Sequence, residues 1–139
     1  MKNIHLKTFQ DCSSKLIGLP YKEYDCWDLV KRFYKLVFDE KIQLSIEYSE
    51  LRKTVRGSRE WAVESEKIVN DQIGNFKKVR NPKFGDICLL NIWGVSGHVG
   101  IYINEKQFLH TSESTGSMID RLSRWETRLE GFYRWQELD

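Results

Sequence analysis

The sequence has no apolar run long enough to cross a membrane, and its first residues, 1–7, lack the apolar stretch of a signal peptide. We therefore expect a protein with no membrane span and no export signal of its own. Such a chain is cytoplasmic when made, and another machine would have to deliver it to any site of action outside the cell. Internal repeats and low-complexity stretches are also absent from the sequence.

Charge and cysteine content exclude further classes of protein. The formal net charge is only +2, and the Lys and Arg residues are scattered among acidic ones, so we expect no nucleic-acid partner. The three cysteines, Cys12, Cys26 and Cys88, are an odd number without short metal-binding spacing, and a disulfide framework is not indicated. What remains is a globular composition, and the length of 139 residues predicts a single domain, 1–139.

The first part of the chain has the spacing of helices. Apolar residues recur at helical intervals in 8–17, which predicts a short first helix that includes Leu16 and Ile17. A second helix is predicted over 26–38, because Asp25 is a good N-cap and an apolar face follows it. We expect this second helix to be a core element.

Weaker patterns follow the second helix. Alternating apolar residues predict a short extended piece over 42–46. Helical spacing over 49–55 and 60–73, with Val63 among the expected core contacts, predicts a helical insertion around 47–78.

The rest of the chain has the pattern of an antiparallel sheet. A nearly continuous apolar run over 87–93 predicts a buried strand. The later elements are expected in the order loop 94–97, hairpin strands 98–103 and 107–112, loop 114–117, short helix 120–128 and final strand 131–135. Helices that precede an antiparallel sheet define an α+β fold.

Cys26 stands on the first turn of the predicted second helix. Unpaired amides and the positive end of the helix dipole favour a thiolate at such a position. The sequence therefore leaves two interpretations of Cys26, a nucleophile or a small buried apolar residue.

The hairpin offers partners for this thiol. A three-residue loop would pair Tyr102 with Lys106 and would place His98 directly opposite His110. Any odd loop length keeps both imidazoles on one face, whereas an even length separates them. A helix packed on that face would bring Cys26 to a base and to a second, orienting imidazole.

Other interpretations of these residues remain open. Each His is also compatible with a hydrogen-bonded structural role. Cys26, Cys88, His98 and His110 together are a possible zinc ligand set, although their spacing lacks paired ligand turns and Cys88 has apolar neighbours. The charged stretch 121–130 is expected to be a solvated helix face.

Four sequence blocks resemble the signature of the NlpC/P60 cysteine peptidases, and they occur in that family's usual order. The blocks are Tyr24–Val30, Phe84–Ile87, Gly97–Tyr102 and Phe108–Ser112. Trp27, the helical insertion and the segments 121–125 and 130–134 are most similar to the phage tail-associated branch of the family.

The resemblance implies a papain-like α+β fold and hydrolysis of peptide bonds in bacterial cell-wall stem peptides, without a cofactor or metal. It implies that Cys26 is the nucleophile, His98 the general base and then acid, and His110 the orienting group. Tyr21 matches a tyrosine near the thiol that helps to bind the oxyanion, and the Cys26 amide would be the second donor.

The residues around the thiol depart in part from the family pattern. Trp27 and Asp28 stand where many members have Ser and Gly, which changes the expected rim beside the thiol. Gly97 stands where many members have Ser before the His. We expect Asp25, Trp27 and Gly97 to adjoin the substrate.

The sequence thus predicts a peptidoglycan endopeptidase that acts as a phage tail component or as a delivered hydrolase, with other tail proteins as possible partners. Two alternatives stay open at this stage. One is a structural tail module that retains the fold without hydrolysis, and the other is a thiol amidase or transferase with a different substrate.

Overall fold

A six-stranded antiparallel sheet forms the centre of the computed structural model, which describes residues 9–11, 13–21, 25–39, 59–92, 94–112 and 114–136. The strands are β1 (Phe76–Val79), β2 (Ile87–Ile92), β3 (Val95–Asn104), β4 (Gln107–Ser112), β5 (Gly116–Arg121) and β6 (Leu129–Trp135), in the spatial order β1-β6-β2-β3-β4-β5. The predicted α+β fold is confirmed. Within the described residues, no helix is long and apolar enough to span a membrane.

The main helix, α1 (Cys26–Phe33), begins at a capping box. The Asp28 amide donates to Asp25 Oδ1 over 3.1 Å, and the Asp25 amide donates to Asp28 Oδ2 over 3.4 Å. The helix continues as a π-helical turn, Tyr34–Phe38, and ends at Asp39, whose φ of 54° is left-handed. The predicted helix over 26–38 is therefore confirmed, and its cap fixes Cys26 as the first helical residue.

The buried face of α1 packs on β3 and β4. Its apolar side chains pack against those on one face of the sheet. A group of aromatic rings also packs into this shared core. The core residues contributed by α1 are Leu29, Val30 and Phe33, and those contributed by the sheet are Ile87, Leu89, Val99, Ile101, Ile103 and Leu109. This packing determines where the first turn of α1 lies against the sheet.

A second helix, α2 (Arg59–Ile73), confirms the helix predicted over 60–73. Ile68 and Val69 are buried in the core, but Val63 is 44% exposed, so its predicted core contact is wrong. The helix predicted over 49–55 and the extended piece over 42–46 lie outside the described residues.

Two strands were not expected from the sequence. β1 occupies the end of the range assigned to the helical insertion, 47–78, and pairs with β6. β5 forms where a loop and a helix were predicted, and a 3₁₀ helix, Leu122–Arg128, follows it. Both strands are short and no more than half apolar, so pairing with a neighbouring strand rather than local propensity decides their conformation.

The loop predicted over 94–97 is also shorter than expected, because β3 already begins at Val95. Gly94 alone keeps a turn conformation there, with φ of 80°. The hairpin strands β3 and β4 are otherwise confirmed.

The first predicted helix, 8–17, is interrupted. Residues 9–11 are helical and a 3₁₀ turn covers Ser13–Lys15, while Ile17 is 41% exposed. The chain turns away here to bind β5: the Gly18 amide donates to the Ser117 carbonyl over 2.8 Å and the Ser117 amide to the Leu19 carbonyl over 3.0 Å. Gly116 allows this approach, since its φ is 70° and a Cβ there would lie 2.5 Å from the Leu19 oxygen.

Candidate active site

The register of the β3–β4 hairpin differs from the predicted one. Tyr102 pairs with Phe108 and Asn104 with Gln107, which leaves a two-residue loop. An even loop would separate the two His side chains, but a bulge at Ile103 adds one residue to β3 and restores the parity. His98 and His110 therefore share a face, as expected, but they are diagonal neighbours and not directly opposite.

The two imidazoles form a direct hydrogen bond. His98 Nε2 lies 3.1 Å from His110 Nδ1, and both side chains are buried. The ring of Phe108 stacks on His110 with 4.5 Å between centroids, and Trp125 stacks on His98 at 5.8 Å. Aromatic walls thus fix the orientation of both rings.

Gly100 allows this aromatic packing. A Cβ at Gly100 would lie 2.7 Å from Phe108 Cδ2 and 3.0 Å from the Leu109 carbonyl oxygen. Because Gly100 has no side chain, Phe108 can lie close to β3 and stack on His110.

Asp120 continues the chain of hydrogen bonds beyond the two imidazoles. Its Oδ2 lies 2.9 Å from His110 Nε2 and accepts from Trp125 Nε1 over 3.1 Å, while Oδ1 accepts from the Arg121 amide over 2.7 Å. The sequence predicts Asp120 only as the first residue of a short helix, 120–128. Recognition of β5 would have revealed its position, because Met118 pairs with His110 and Asp120 follows on the same face.

The thiol of Cys26 lies against the backbone of β3. The amides of Val99 and Trp27 hydrogen-bond its sulfur, and Val99 directly follows His98. The side chain is only 8% exposed. The first turn of α1 and the strand that carries His98 thus meet at the thiol.

Burial raises the pKa of the Cys26 thiol to about 12, and the negative charge of Asp25 adds to this rise. The hydrogen bonds from the two amides oppose it, and Asp28 makes the smallest contribution. The amides thus favour a thiolate, as the sequence indicates, but burial outweighs them. Removal from water disfavours the anion by more than the amides stabilise it.

The imidazoles are also uncharged near neutral pH. Burial lowers the pKa of His98 to about 3, and His110 acts in the same direction. Burial lowers the pKa of His110 as well, against the opposing hydrogen bond and charge of Asp120. The site at rest therefore holds a protonated thiol and two neutral imidazoles.

The remaining predicted site residues occupy different environments. Asp25 is buried as the N-cap of α1, and Gly97 is buried within β3 immediately before His98. Tyr21 is partly buried after the segment that binds β5. Trp27 is only 1% exposed and packs on Phe76 at 6.2 Å between ring centroids, and its place beside the substrate stays a prediction.

The zinc interpretation does not fit the arrangement of the thiols. Cys88 packs with Leu90 and Phe108, whereas Cys26 belongs to the core on the other face of the sheet. In the part of the chain that the structure describes, no three His, Cys, Asp or Glu side chains are placed to hold a metal ion.

A cysteine at the start of a buried helix, beside a strand that carries one imidazole of a hydrogen-bonded pair, is an arrangement that thiol-dependent hydrolases use. The chain belongs to the NlpC/P60 family, whose sequence profile matches residues 13–134. The predicted family is thereby confirmed.

A curated protein is similar to most of this chain. The chain is 28% identical over 117 residues to a protein of Escherichia coli K12 named "Murein DD-endopeptidase MepS/Murein LD-carboxypeptidase". The match covers 82% of this chain and 50% of that protein, so the chain spans about half the length of the curated relative. The murein endopeptidase and carboxypeptidase activities in that name are those of the relative.

Solved structures support the fold. The NlpC/P60 domain of the peptidoglycan hydrolase SagA is similar with a TM-score of 0.55 and 18% identity, over 93% of this chain and 97% of that one. A lipoprotein-like NLP/P60 family protein of Staphylococcus aureus has a TM-score of 0.61 and 20% identity, over 94% of this chain and 41% of that one.

Proposed function

We propose that this chain is a cysteine peptidase that hydrolyses a peptide bond in the stem peptides of bacterial peptidoglycan. The observation that carries the proposal is the buried His98–His110 pair, of which His98 lies on β3, the strand whose backbone the Cys26 thiol contacts. A relative named as a murein DD-endopeptidase supports this choice of substrate.

The reaction begins with attack of the Cys26 sulfur on the carbonyl carbon of the scissile amide. Because the thiol is protonated and His98 is neutral, its proton passes to His98 during the attack and not before it. The developing oxyanion is stabilised by the Cys26 amide and by Tyr21. The C–N bond then breaks, and His98 returns the proton to the departing amine.

A thioester on Cys26 remains after the amine has left. Water hydrolyses it with His98 as general base, which releases the new carboxylate and restores the thiol. The cycle consumes one water molecule and needs no redox partner.

The test is mass-spectrometric analysis of purified peptidoglycan digested by the wild-type protein, by Cys26→Ala and by Cys88→Ala. Cys88 is a control of the same chemistry, since it is the other free thiol among the described residues and packs with Leu90 and Phe108. We expect new stem-peptide fragments from the wild type and from Cys88→Ala, and none from Cys26→Ala. Fragments from Cys26→Ala would refute a thiol mechanism.

A structural module without hydrolysis is the second candidate, and the burial of the thiol favours it. In that case the same digests would yield no fragments from any of the three proteins. Rapid alkylation of Cys26 without cleavage of peptidoglycan would instead indicate a thiol amidase or transferase with another substrate.

We further propose that the chain acts in a phage tail, or is delivered to the cell wall by another machine. This placement is supported by the sequence around Trp27, by the insertion that contains α2 and by the segments 121–125 and 130–134. Mass spectrometry of purified virions tests it. Absence of the chain from the particles of an encoding phage would refute a tail location.

A further inference from the structure

Asp120 ends a chain of hydrogen-bonded side chains that begins at His98, the residue before the Val99 amide that hydrogen-bonds the thiol. The chain runs from His98 Nε2 to His110 Nδ1 over 3.1 Å, and from His110 Nε2 to Asp120 Oδ2 over 2.9 Å. Each imidazole thus uses one nitrogen toward the next member. The order of donors and acceptors along the chain then follows from the group at its end.

An ionised carboxylate can only accept hydrogen bonds. Partial burial acts to raise the pKa of Asp120, but hydrogen bonds from His110, Trp125 and the Arg121 amide outweigh it and lower the pKa. The proton of the neutral His110 therefore lies on Nε2, where it is donated to Asp120. Nδ1 of His110 is then an acceptor, and His98 must carry its own proton on Nε2.

We propose that Asp120 is a positioning residue that, through His110, sets the tautomer of His98 and leaves Nδ1 of His98 as the nitrogen that takes the proton of the Cys26 thiol. The catalytic consequence of this inference rests on the proposed function. The tautomers themselves do not, because they follow from the hydrogen bonds.

The surroundings of Asp120 hold the carboxylate in place. Trp125 donates its indole N–H to Oδ2 and stacks on His98, so one side chain braces both ends of the chain. The Arg121 amide occupies Oδ1 over 2.7 Å. Arg124 is mostly exposed and its Nη1 lies 3.9 Å from Oδ1, so it adds little.

The same arrangement supports the reaction. During attack, the thiol proton moves to Nδ1 of His98, which becomes an imidazolium, while the proton on Nε2 stays in its hydrogen bond to His110. The positive charge on His98 is stabilised by this bond and by the carboxylate behind it. The proton on Nδ1 is the one that later leaves with the amine.

Nuclear magnetic resonance of the wild-type protein labelled with ¹⁵N-histidine tests the tautomers without any need for activity. We expect His98 and His110 both to be neutral and protonated on Nε2 at neutral pH. A proton on Nδ1 of either residue would overturn the proposal, and this result requires no variant to fold.

The variant Asp120→Asn tests whether Asp120 sets the tautomers of the two imidazoles. Its carboxamide has a single oxygen, so either the Arg121 amide or both His110 and Trp125 must face an NH₂ group, and it lacks the negative charge that holds the His110 proton on Nε2. We expect populations of the Nδ1–H tautomer to rise at His110 and at His98. Unchanged tautomers in the folded variant would overturn the proposal.

Kinetics with a soluble stem peptide add the catalytic readout. For Asp120→Asn we expect kcat to fall roughly 10- to 100-fold with KM nearly unchanged, as for groups that orient a catalytic residue. Asp39→Asn is the matched control, since Asp39 is exposed and pairs with Lys35 away from the site. An unchanged kcat in Asp120→Asn would overturn the role, whereas an inactive wild type would refute the proposed function and leave the tautomer test decisive.

Discussion

The two faces of the sheet carry different kinds of side chain and contribute differently to the protein. The face toward α1 is covered by a large apolar cluster that includes the Cys26 side chain, while the opposite face carries a small cluster around Cys88, Leu90 and Phe108. The imidazole pair and Asp120 belong to the second face, together with Trp125. Stability is thus concentrated on one face and the proton-transfer groups on the other, while the thiol, on the face toward α1, contacts the backbone of β3.

The largest expected effect is the loss of a side chain from the face toward α1. Phe33 is fully buried, and its ring contacts Phe9 and Phe84 at centroid distances of 6.0 and 5.6 Å. We expect Phe33→Ala to lower the free energy of unfolding by about 3–5 kcal/mol. Urea denaturation followed by circular dichroism measures this loss.

The matched variant on the opposite face is Phe132→Ala. Phe132 is half-buried and contacts Tyr102 at 5.7 Å, so the same truncation should cost less than half as much. Equal losses from both variants would show that the faces contribute alike, and the comparison would fail.

Acid should weaken the face that carries the imidazoles. The pKa of His98 is lowered to about 3, whereas an unfolded histidine titrates near 6.5, so between these values only the unfolded chain binds the proton. The free energy of unfolding therefore falls as the pH drops through this window, by at most about 1.4 kcal/mol per pH unit. Asp120, whose pKa is also lowered, adds a loss in the same direction only below about pH 3.9.

The variant His98→Gln isolates the contribution of one imidazole. Urea denaturation over the same pH range should give a smaller slope, which does not vanish because the pKa of His110 is lowered as well. A slope identical to that of the wild type would mean that His98 is protonated in the folded protein, against the expected tautomer chain.

The sequence predicted the parts of the structure that have a local pattern. The helix that begins at Cys26, the strands β2, β4 and β6 and the family follow from local patterns, namely the cap at Asp25 and apolar periodicity. β5 does not follow from such patterns, because Gly116–Arg121 has little strand propensity and is extended through pairing with β4. Asp120 was missed along with it.

Local sequence patterns also could not predict the raised pKa of the Cys26 thiol. The helix N-terminus and the amides around Cys26 favour a thiolate, as the sequence suggested, but the extent of burial depends on packing between α1 and β3. The shared face of His98 and His110 was predicted through a three-residue loop, whereas a bulge at Ile103 produces it. The shared face was therefore correct for a different reason, and the expected directly opposite placement was wrong.

The smallest expected effect concerns the charge beside the thiol. Asn is as good an N-cap as Asp, so Asp25→Asn should keep α1 intact while it removes the charge that, after burial, contributes most to the raised pKa of Cys26. We expect the rate of Cys26 alkylation by iodoacetamide at mildly alkaline pH to rise several-fold, as measured by peptide mass spectrometry. Asp28→Asn is the control, because Asp28 makes the smallest contribution to the same pKa and should accelerate alkylation less. If both variants react at the wild-type rate, burial alone holds the thiol protonated, and the protein must open the site before it can react.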